Sequence, residues 1–350
     1  MIIRQQIYDE LKTLKVPADK TFGKALLPVI VRSIYQAGAW SELEVVFDCE
    51  NQISGASVAV QYAQSIFEGM KAYKVNQDIP QIFRPLDHAK RFNDSAKRMC
   101  IPALPEELFL QAVNLISKLY ENHIPSQTGC ALYLRPSAYA TDYSLAITPS
   151  EKYCFSVHVA PTLPFANEMI SVLIERQNKR SALGGTGNVK TAGNYAAGFG
   201  ALRRAQQVGC ATNLWLDPVY NKFIEEFSLM NFFIYYEGIL HTPKLQSSFL
   251  PGVVRRSIIS LTKDMGIKVS EQQIDIDKLI KIIQSGEQIE AFSTGTAAAV
   301  TPIKSFKEVD GTEYIISQEI GRISKLLKTQ LNDIHEAKAE DRFNWMQNIY

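Results

Sequence analysis

One lysine in this chain stands where a side-chain amine could be put to chemical use. Lys190 closes the glycine-rich run Gly184-Gly-Thr-Gly-Asn-Val-Lys190, and Tyr195 follows five residues on, opening an alanine-rich, helix-forming stretch. Glycines let a backbone pass close to another group, and a lysine placed there by its neighbours is a candidate imine-forming nucleophile. Two rival readings fail on spacing. A Walker loop needs glycine directly before the lysine, and Val189 sits there. A dinucleotide fingerprint needs a third glycine three residues after Gly187, and that residue is Lys190 itself. Alone, the segment equally describes a tight turn leading into a helix with a surface lysine.

Other stretches have the composition of a phosphate and ring site. Leu250-Pro-Gly-Val-Val-Arg255 places a flexible turn before a helix start, where free amides and the helix dipole favour an anion. Ser293-Thr-Gly-Thr-Ala297 offers hydroxyls and backbone donors at the end of a strand. Each is weak by itself, and Arg91, alone in a helix, reads as a solvated charge. The five histidines show no metal spacing. The five cysteines are scattered without a Cys-x-x-Cys pair, which predicts a reduced chain with neither disulfide framework nor metal site.

The elements that must position these residues belong to a chain of 350 residues, 46% hydrophobic and 21% charged, long enough for about two domains. Lys+Arg 37 against Asp+Glu 36 leaves +1, so charge makes no case for nucleic acid or an anionic membrane as partner. Neither a signal peptide nor a membrane-spanning run is read, and a cytoplasmic location is expected. Helices are predicted over 4–15, from an Asp87 N-cap to Met99, over 106–120, from Tyr195 to Gln207 with Gly209 as C-cap, and over 253–265, 274–283 and 317–337. Strands are predicted over 131–135, 153–159, 171–175, 213–216, 223–227, 231–236 and 291–295. The two prolines in Ala160–Asn167 mark a linker. The division expected is an N-terminal α+β domain over 1–160, a linker over 161–170 and a cofactor-binding α+β domain over 171–350.

In order along the chain, these pieces resemble the branched-chain aminotransferases, fold-type-IV pyridoxal-phosphate enzymes. The matching stretches are Phe67-Glu-Gly-Met-Lys-Ala-Tyr73, Arg91 with Ser95-Ala-Lys-Arg98, Leu132-Tyr-Leu-Arg-Pro136, the Gly184–Tyr195 run, Leu214-Trp-Leu216, Glu226 with Met230-Asn-Phe-Phe233, Leu250-Pro-Gly-Val253 and Gly295-Thr-Ala297. The resemblance runs from about Phe22 to the C-terminus. It implies a two-domain α+β fold like that of D-amino-acid aminotransferase, a smaller N-terminal and a larger C-terminal domain with the cofactor between them. It implies exchange of an amino group between leucine, isoleucine or valine and 2-oxoglutarate. Lys190 would hold pyridoxal 5′-phosphate as a Schiff base and then shuttle the proton at the substrate's Cα. Tyr195 would hydrogen-bond the ring's phenolic oxygen, and Glu226 would keep the ring nitrogen protonated. Glu225 falls on the other face of the same strand. Arg91, the amides of Val253 and Val254, and Thr296 would hold the phosphate. Tyr133 and Arg135 match a carboxylate-recognising pair; Tyr62, Phe67, Phe165 and Ala297 match pocket positions. Leu145 and Ile147 match a loop that reaches a neighbouring subunit's site, which implies a homodimer.

Three substrate-side positions depart from the family pattern. Phe22-Gly23 leads to Leu26-Leu-Pro-Val-Ile30 rather than an aromatic and an Asp-His-Met run, Phe165 replaces a common tyrosine, and Leu229 replaces a small residue. The Cys-x-x-Cys pair of some members is absent, with Ala298 and Thr301 in those places. A shifted substrate on the same chemistry is therefore the alternative expectation. An aminodeoxychorismate-lyase-type enzyme fits less well, because Tyr133-Leu-Arg135 and the long N-terminal region look like the branched-chain group. A non-catalytic binding module fits least, because Lys190, Tyr195, Glu226 and Arg91 are all kept.

Overall fold

The computed structural model describes residues 3–16, 22–164 and 168–350, so Phe165 and the neighbouring part of the expected linker lie outside the described residues. The chain forms two compact units: Met1–Pro164 with Lys190–Ala192 and Asp333–Tyr350, and Phe165–Val189 with Gly193–Asn332. With the two extra segments it claims, the first unit is the longer.

The first unit is built on an antiparallel sheet. Across it run Met346–Asn348, Gln81–Phe83, Met70–Tyr73, Ala131–Ala140, Tyr153–Thr162, Val29–Gln36 and Ala39–Trp40; Glu44–Phe47 pairs with Val29–Gln36, and Ser65–Phe67 with Ala131–Ala140. The inner strand Val29–Gln36 is not among the expected strands, although Val29-Ile-Val31 has the β-branched composition of one. Strand Tyr153–Thr162 is buried at all positions but His158 and overruns the expected linker start, so the pairing of Ala131 with Thr162 outlasts the proline at 161. Helices Pro85–Arg98 and Glu106–Leu119 cover the sheet. Phe92 and Phe109 from the helices meet Phe155 from the sheet at 5.7 and 6.0 Å and each other at 5.3 Å. Each such pair contributes about 0.5–1.5 kcal/mol beyond the area it buries.

Helix Pro85–Arg98 starts two residues before the expected Asp87 cap. Pro85, with its φ pre-set, takes the first position after Arg84 at φ 50°, and Asp87 instead pairs with Arg84 at 2.7 Å. His88, Arg91 and Ser95, three and four residues apart, then share one buried face.

The second unit is a closed ring of strands. In order these are Ile224–Phe227, Thr212–Leu216, Ile170–Glu175, Ala299–Lys307, Glu290–Gly295 and Asn231–Tyr236, which pairs back to Ile224–Phe227. Closure leaves the ring no free edge, and Val172, Leu214, Phe227, Phe232, Ile234 and Phe306 are among its buried core. Strand Ile170–Glu175 is parallel to both neighbours, a pairing that requires a crossover; Phe199–Gln207 is the helix of one. The single helix expected from Tyr195 is broken there into Gly193–Ala196 and Phe199–Gln207, with Gly198 capping the second. Gly209, at φ +72°, follows Val208 as expected. Strands Ile239–Pro243, Lys268–Gln272, Ala299–Lys307 and Glu313–Ile315 add to those expected. The last long helix is shorter than expected, Arg322–His335. No helix among the described residues is long and apolar enough to cross a membrane.

Candidate active site

In the first unit, Lys190–Ala192 is held like a short extra strand. The Phe67 amide donates to the Lys190 carbonyl at 3.0 Å, Ala192 donates to the Ser65 carbonyl at 3.3 Å, and Ile66 bridges Thr191. The Thr191 hydroxyl adds a bond to the Ser65 carbonyl at 2.7 Å, and the Lys190 amide donates to Ser95 Oγ at 3.0 Å. The lysine backbone is therefore fixed, and its Nζ lies 4.6 Å from the centre of the Phe67 ring. The Arg135 guanidinium lies 4.6 Å from the same ring and donates to the Tyr133 hydroxyl at 2.9 Å. Tyr133 in turn occupies the space that any side chain at Gly69 would need, and its ring meets Phe22 edge-on at 4.8 Å. An amine, an aromatic wall and a guanidinium thus converge.

Arg91 belongs to the same group through a buried carboxylate, Glu68, to which the sequence motif alone gives no role. Glu68 accepts from Arg91 Nε at 2.6 Å and Nη2 at 2.9 Å, and its Oε2 lies 2.7 Å from His88 Nδ1. Burial alone would raise the Glu68 carboxyl; the charges and hydrogen bonds of Arg91 and His88 outweigh it and hold the group well below the ordinary range. Burial pushes His88 down, and Arg91 and Lys190 push the same way against the pull of Glu68. A carboxylate can only accept, so the His88 Nδ1 that faces it carries a proton.

The second unit holds a set of its own. Glu226 pairs with Arg180 Nη2 at 2.7 Å and accepts from Asn231 Nδ2 at 3.2 Å. Arg180 also donates to the Gly187 and Ser248 carbonyls at 3.0 and 2.7 Å. A side chain at Gly187 would overlap the Ser248 carbonyl, so this glycine of the lysine loop is there for backbone packing. Glu225 has a different partner, the Ser248 hydroxyl. Burial raises its carboxyl, with the Ser248 bond opposing.

Asn231 also donates to the Leu250 carbonyl at 2.9 Å, and its Oδ1 packs where a Gly252 side chain would be. That clamps the Pro251-Gly252 turn to the strand carrying the Glu226 contact. Helix Val253–Asp264 follows, both valines buried and its N-cap taken by Gly252, which has no side chain to cap the first turn, an arrangement that favours an anion. Thr294 Oγ1 is buried with no protein partner among the described residues. Thr296 and Ala297 lie half-buried in the next turn, where Gly295 backs onto Met230 and the Leu229 carbonyl. Tyr195 is half-buried on Gly193–Ala196. Tyr62 donates to the Leu145 carbonyl at 2.8 Å on an exposed segment where Leu145 is 65% and Ile147 86% exposed.

Arg180 and His88 give no signal in the sequence, because nothing local marks an arginine or histidine whose carboxylate partner lies far along the chain. Taken unit by unit, the donors suit parts of a phosphorylated pyridine aldehyde: in the second, a carboxylate of the kind that suits a protonated ring nitrogen and helix amides of the kind that suit a phosphate; in the first, an amine of the kind that suits an aldehyde. Among the described residues, no group of His, Cys, Asp and Glu is arranged to hold a metal ion.

Comparison with known proteins identifies the family. The family described as amino-transferase class IV matches residues 65–306. The branched-chain-amino-acid transaminase 1 of Bacillus subtilis (strain 168) is 35% identical over 94% of this chain and 94% of its own length. The Escherichia coli branched-chain amino acid aminotransferase structure superposes with a TM-score of 0.74 at 26% identity, covering 91% of this chain and 99% of that one. A T.th. branched-chain amino acid aminotransferase, in complex with N-(5′-phosphopyridoxyl)-L-glutamate, gives 0.70 at 27% identity, covering 91% and 98%. Over most of its length, therefore, the chain belongs to the branched-chain group of the class IV aminotransferases.

Proposed function

We propose that this protein transfers an amino group between a branched-chain L-amino acid (leucine, isoleucine or valine) and 2-oxoglutarate, with pyridoxal 5′-phosphate as cofactor. The observation that carries the reading is the convergence of Lys190 Nζ and the Arg135 guanidinium on the Phe67 ring, each 4.6 Å from its centre. When bound, the cofactor supplies an electron sink for the carbon that loses its proton. Lys190 would hold the cofactor and, once displaced by the substrate's amine, would move the proton at the substrate's Cα. Glu226, oriented by Arg180 and Asn231, would hold a proton on the ring nitrogen. Tyr195 donates to the ring's phenolic oxygen. Arg91, the amides of Val253 and Val254, and Thr296 bind the phosphate.

Substrate selection follows from the neighbours of Lys190. Arg135 with Tyr133 takes a carboxylate, which admits glutamate. Phe67, Tyr62 and Ala297 offer apolar surface for a branched side chain. Leu145 and Ile147 act in a second copy's site, within a cytoplasmic homodimer; their exposure supports this use. The test is glutamate formation from 2-oxoglutarate with each of the three donors. Glutamate from all three supports the proposal. Amino transfer to 2-oxoglutarate from some other donor alone would leave the chemistry standing and move the substrate, the outcome that the exposed Leu26 and Leu229 would then explain.

A further inference from the structure

We infer that Glu68 and His88 are positioning residues for Arg91, and that they set how firmly the phosphate end of the cofactor is held. The inference rests on the reading that pyridoxal phosphate is the cofactor. It concerns a part of the site to which neither motif spacing nor resemblance gave a role.

An arginine on a helix carries a long, flexible stem, and its planar fork recognises an oxyanion only when its orientation is set. Here Glu68 takes the guanidinium side-on, Oε1 from Nε at 2.6 Å and Oε2 from Nη2 at 2.9 Å. Two of the five N–H bonds are thereby committed to one carboxylate, and the plane and direction of the other three follow from it. The carboxylate is itself fixed. Its Oε2 also accepts from His88 Nδ1 at 2.7 Å and from the Gly69 amide at 3.2 Å. The Glu68 amide donates to the Pro136 carbonyl at 2.7 Å, a carbonyl on the long strand Ala131–Ala140. Glu68 and His88 are 0% and 1% exposed, so water does not compete for these bonds. His88 precedes Arg91 by one helical turn and reaches the same carboxylate, which ties helix and strand together at this point.

The charge balance has the same consequence. A buried arginine without an anion is costly, and Glu68 supplies one whether or not a phosphate is bound. Arg91 is thus kept in place before the cofactor arrives, and binding does not have to order it. Replacing Glu68 by glutamine keeps an acceptor for Nε but turns an amide donor toward Arg91 Nη2 and the His88 Nδ1 proton. Donor would face donor, and Arg91 would leave its orientation.

The experiment compares the apoprotein's affinity for pyridoxal 5′-phosphate with that for pyridoxal, which has the same ring and aldehyde but no phosphate; both are read from absorbance on binding. In Glu68→Gln and in His88→Leu, the preference for the phosphorylated form is expected to fall roughly tenfold, the scale of a lost charge-assisted hydrogen bond. Pyridoxal affinity is expected to stay within about twofold of the unmodified protein. His88→Asn, which can still donate to Glu68, is expected to keep most of the preference. Parallel weakening of both ligands would reduce the two residues to structural supports and overturn the inference. An unchanged or tightened preference would overturn it too, the latter by showing that Glu68 competes with the phosphate for Arg91. If Glu68→Gln does not fold, His88→Leu against His88→Asn carries the test. Failure of the unmodified protein to bind pyridoxal 5′-phosphate would be a failure of the cofactor reading instead.

Discussion

At the scale of single residues, charge pairing decides which groups can react and which only support. Lys190→Ala removes the amine and is expected to abolish amino transfer while leaving the fold intact, measured by glutamate formation and by thermal unfolding; full turnover would contradict its role. Arg180→Met is expected to destabilise the protein by about 3–5 kcal/mol in urea unfolding, because it leaves the buried Glu226 carboxylate without its cation. A change under about 1 kcal/mol would show that the pair contributes little. His335 makes a pH prediction. Burial and the nearby Lys71 push it down to about 3, while its ring stacks on Tyr73 at 4.5 Å. A base that binds its proton more readily when unfolded gives stability that is full above about pH 6.5 and is lost as pH falls through that value towards 3. His335→Phe keeps a ring on Tyr73 and should shrink the loss of melting temperature between pH 7 and pH 4. An undiminished loss would contradict this. Of these residues, Glu226 is legible from its spacing to Met230-Asn231. Glu68, Arg180 and His335 are not, because a buried polar residue declares itself only through distant partners.

At the scale of elements, helices are legible more faithfully than strands. Glu106–Leu119 shows its apolar face every three or four residues, whereas Tyr153–Thr162 is buried almost throughout and has no alternation to read. The strand Val29–Gln36 escapes a local reading for a related reason, since its first three positions are all buried and do not alternate. The closing pair of the ring, Glu226 with Asn231, depends on a turn and on four other strands, none of which a local period reports. The lysine loop is legible as a close approach, but its neighbour is not: Gly187 meets the Ser248 carbonyl. Gly187→Ala is therefore expected to cost roughly 1–3 kcal/mol through overpacking, read by urea unfolding, and an unchanged midpoint would show that the Ser248 turn can yield.

At the scale of the whole chain, the order of motifs carries the family, and length carries the two-unit organisation. What neither can show is that the first unit claims Lys190–Ala192 from the middle of the chain and the last residues from Asp333 onward. Those assignments arise from pairing with Ser65–Phe67 and with Gln81–Phe83. Substrate preference belongs to this scale as well, since Leu229 is 69% exposed at a turn. Leu229→Gly is expected to change the relative rates with leucine, isoleucine and valine, and an unchanged profile would remove this side chain from substrate selection. The central claim is tested most directly by a single half-reaction. Purified protein loaded with pyridoxal phosphate is mixed, without any keto acid, with leucine, isoleucine, valine, glutamate, an aromatic amino acid and D-alanine in turn, and its visible absorbance is followed. Loss of the long-wavelength band with the three branched donors and with glutamate is the predicted result. Absence of any such band in the loaded protein, or a band untouched by all four, would contradict the account.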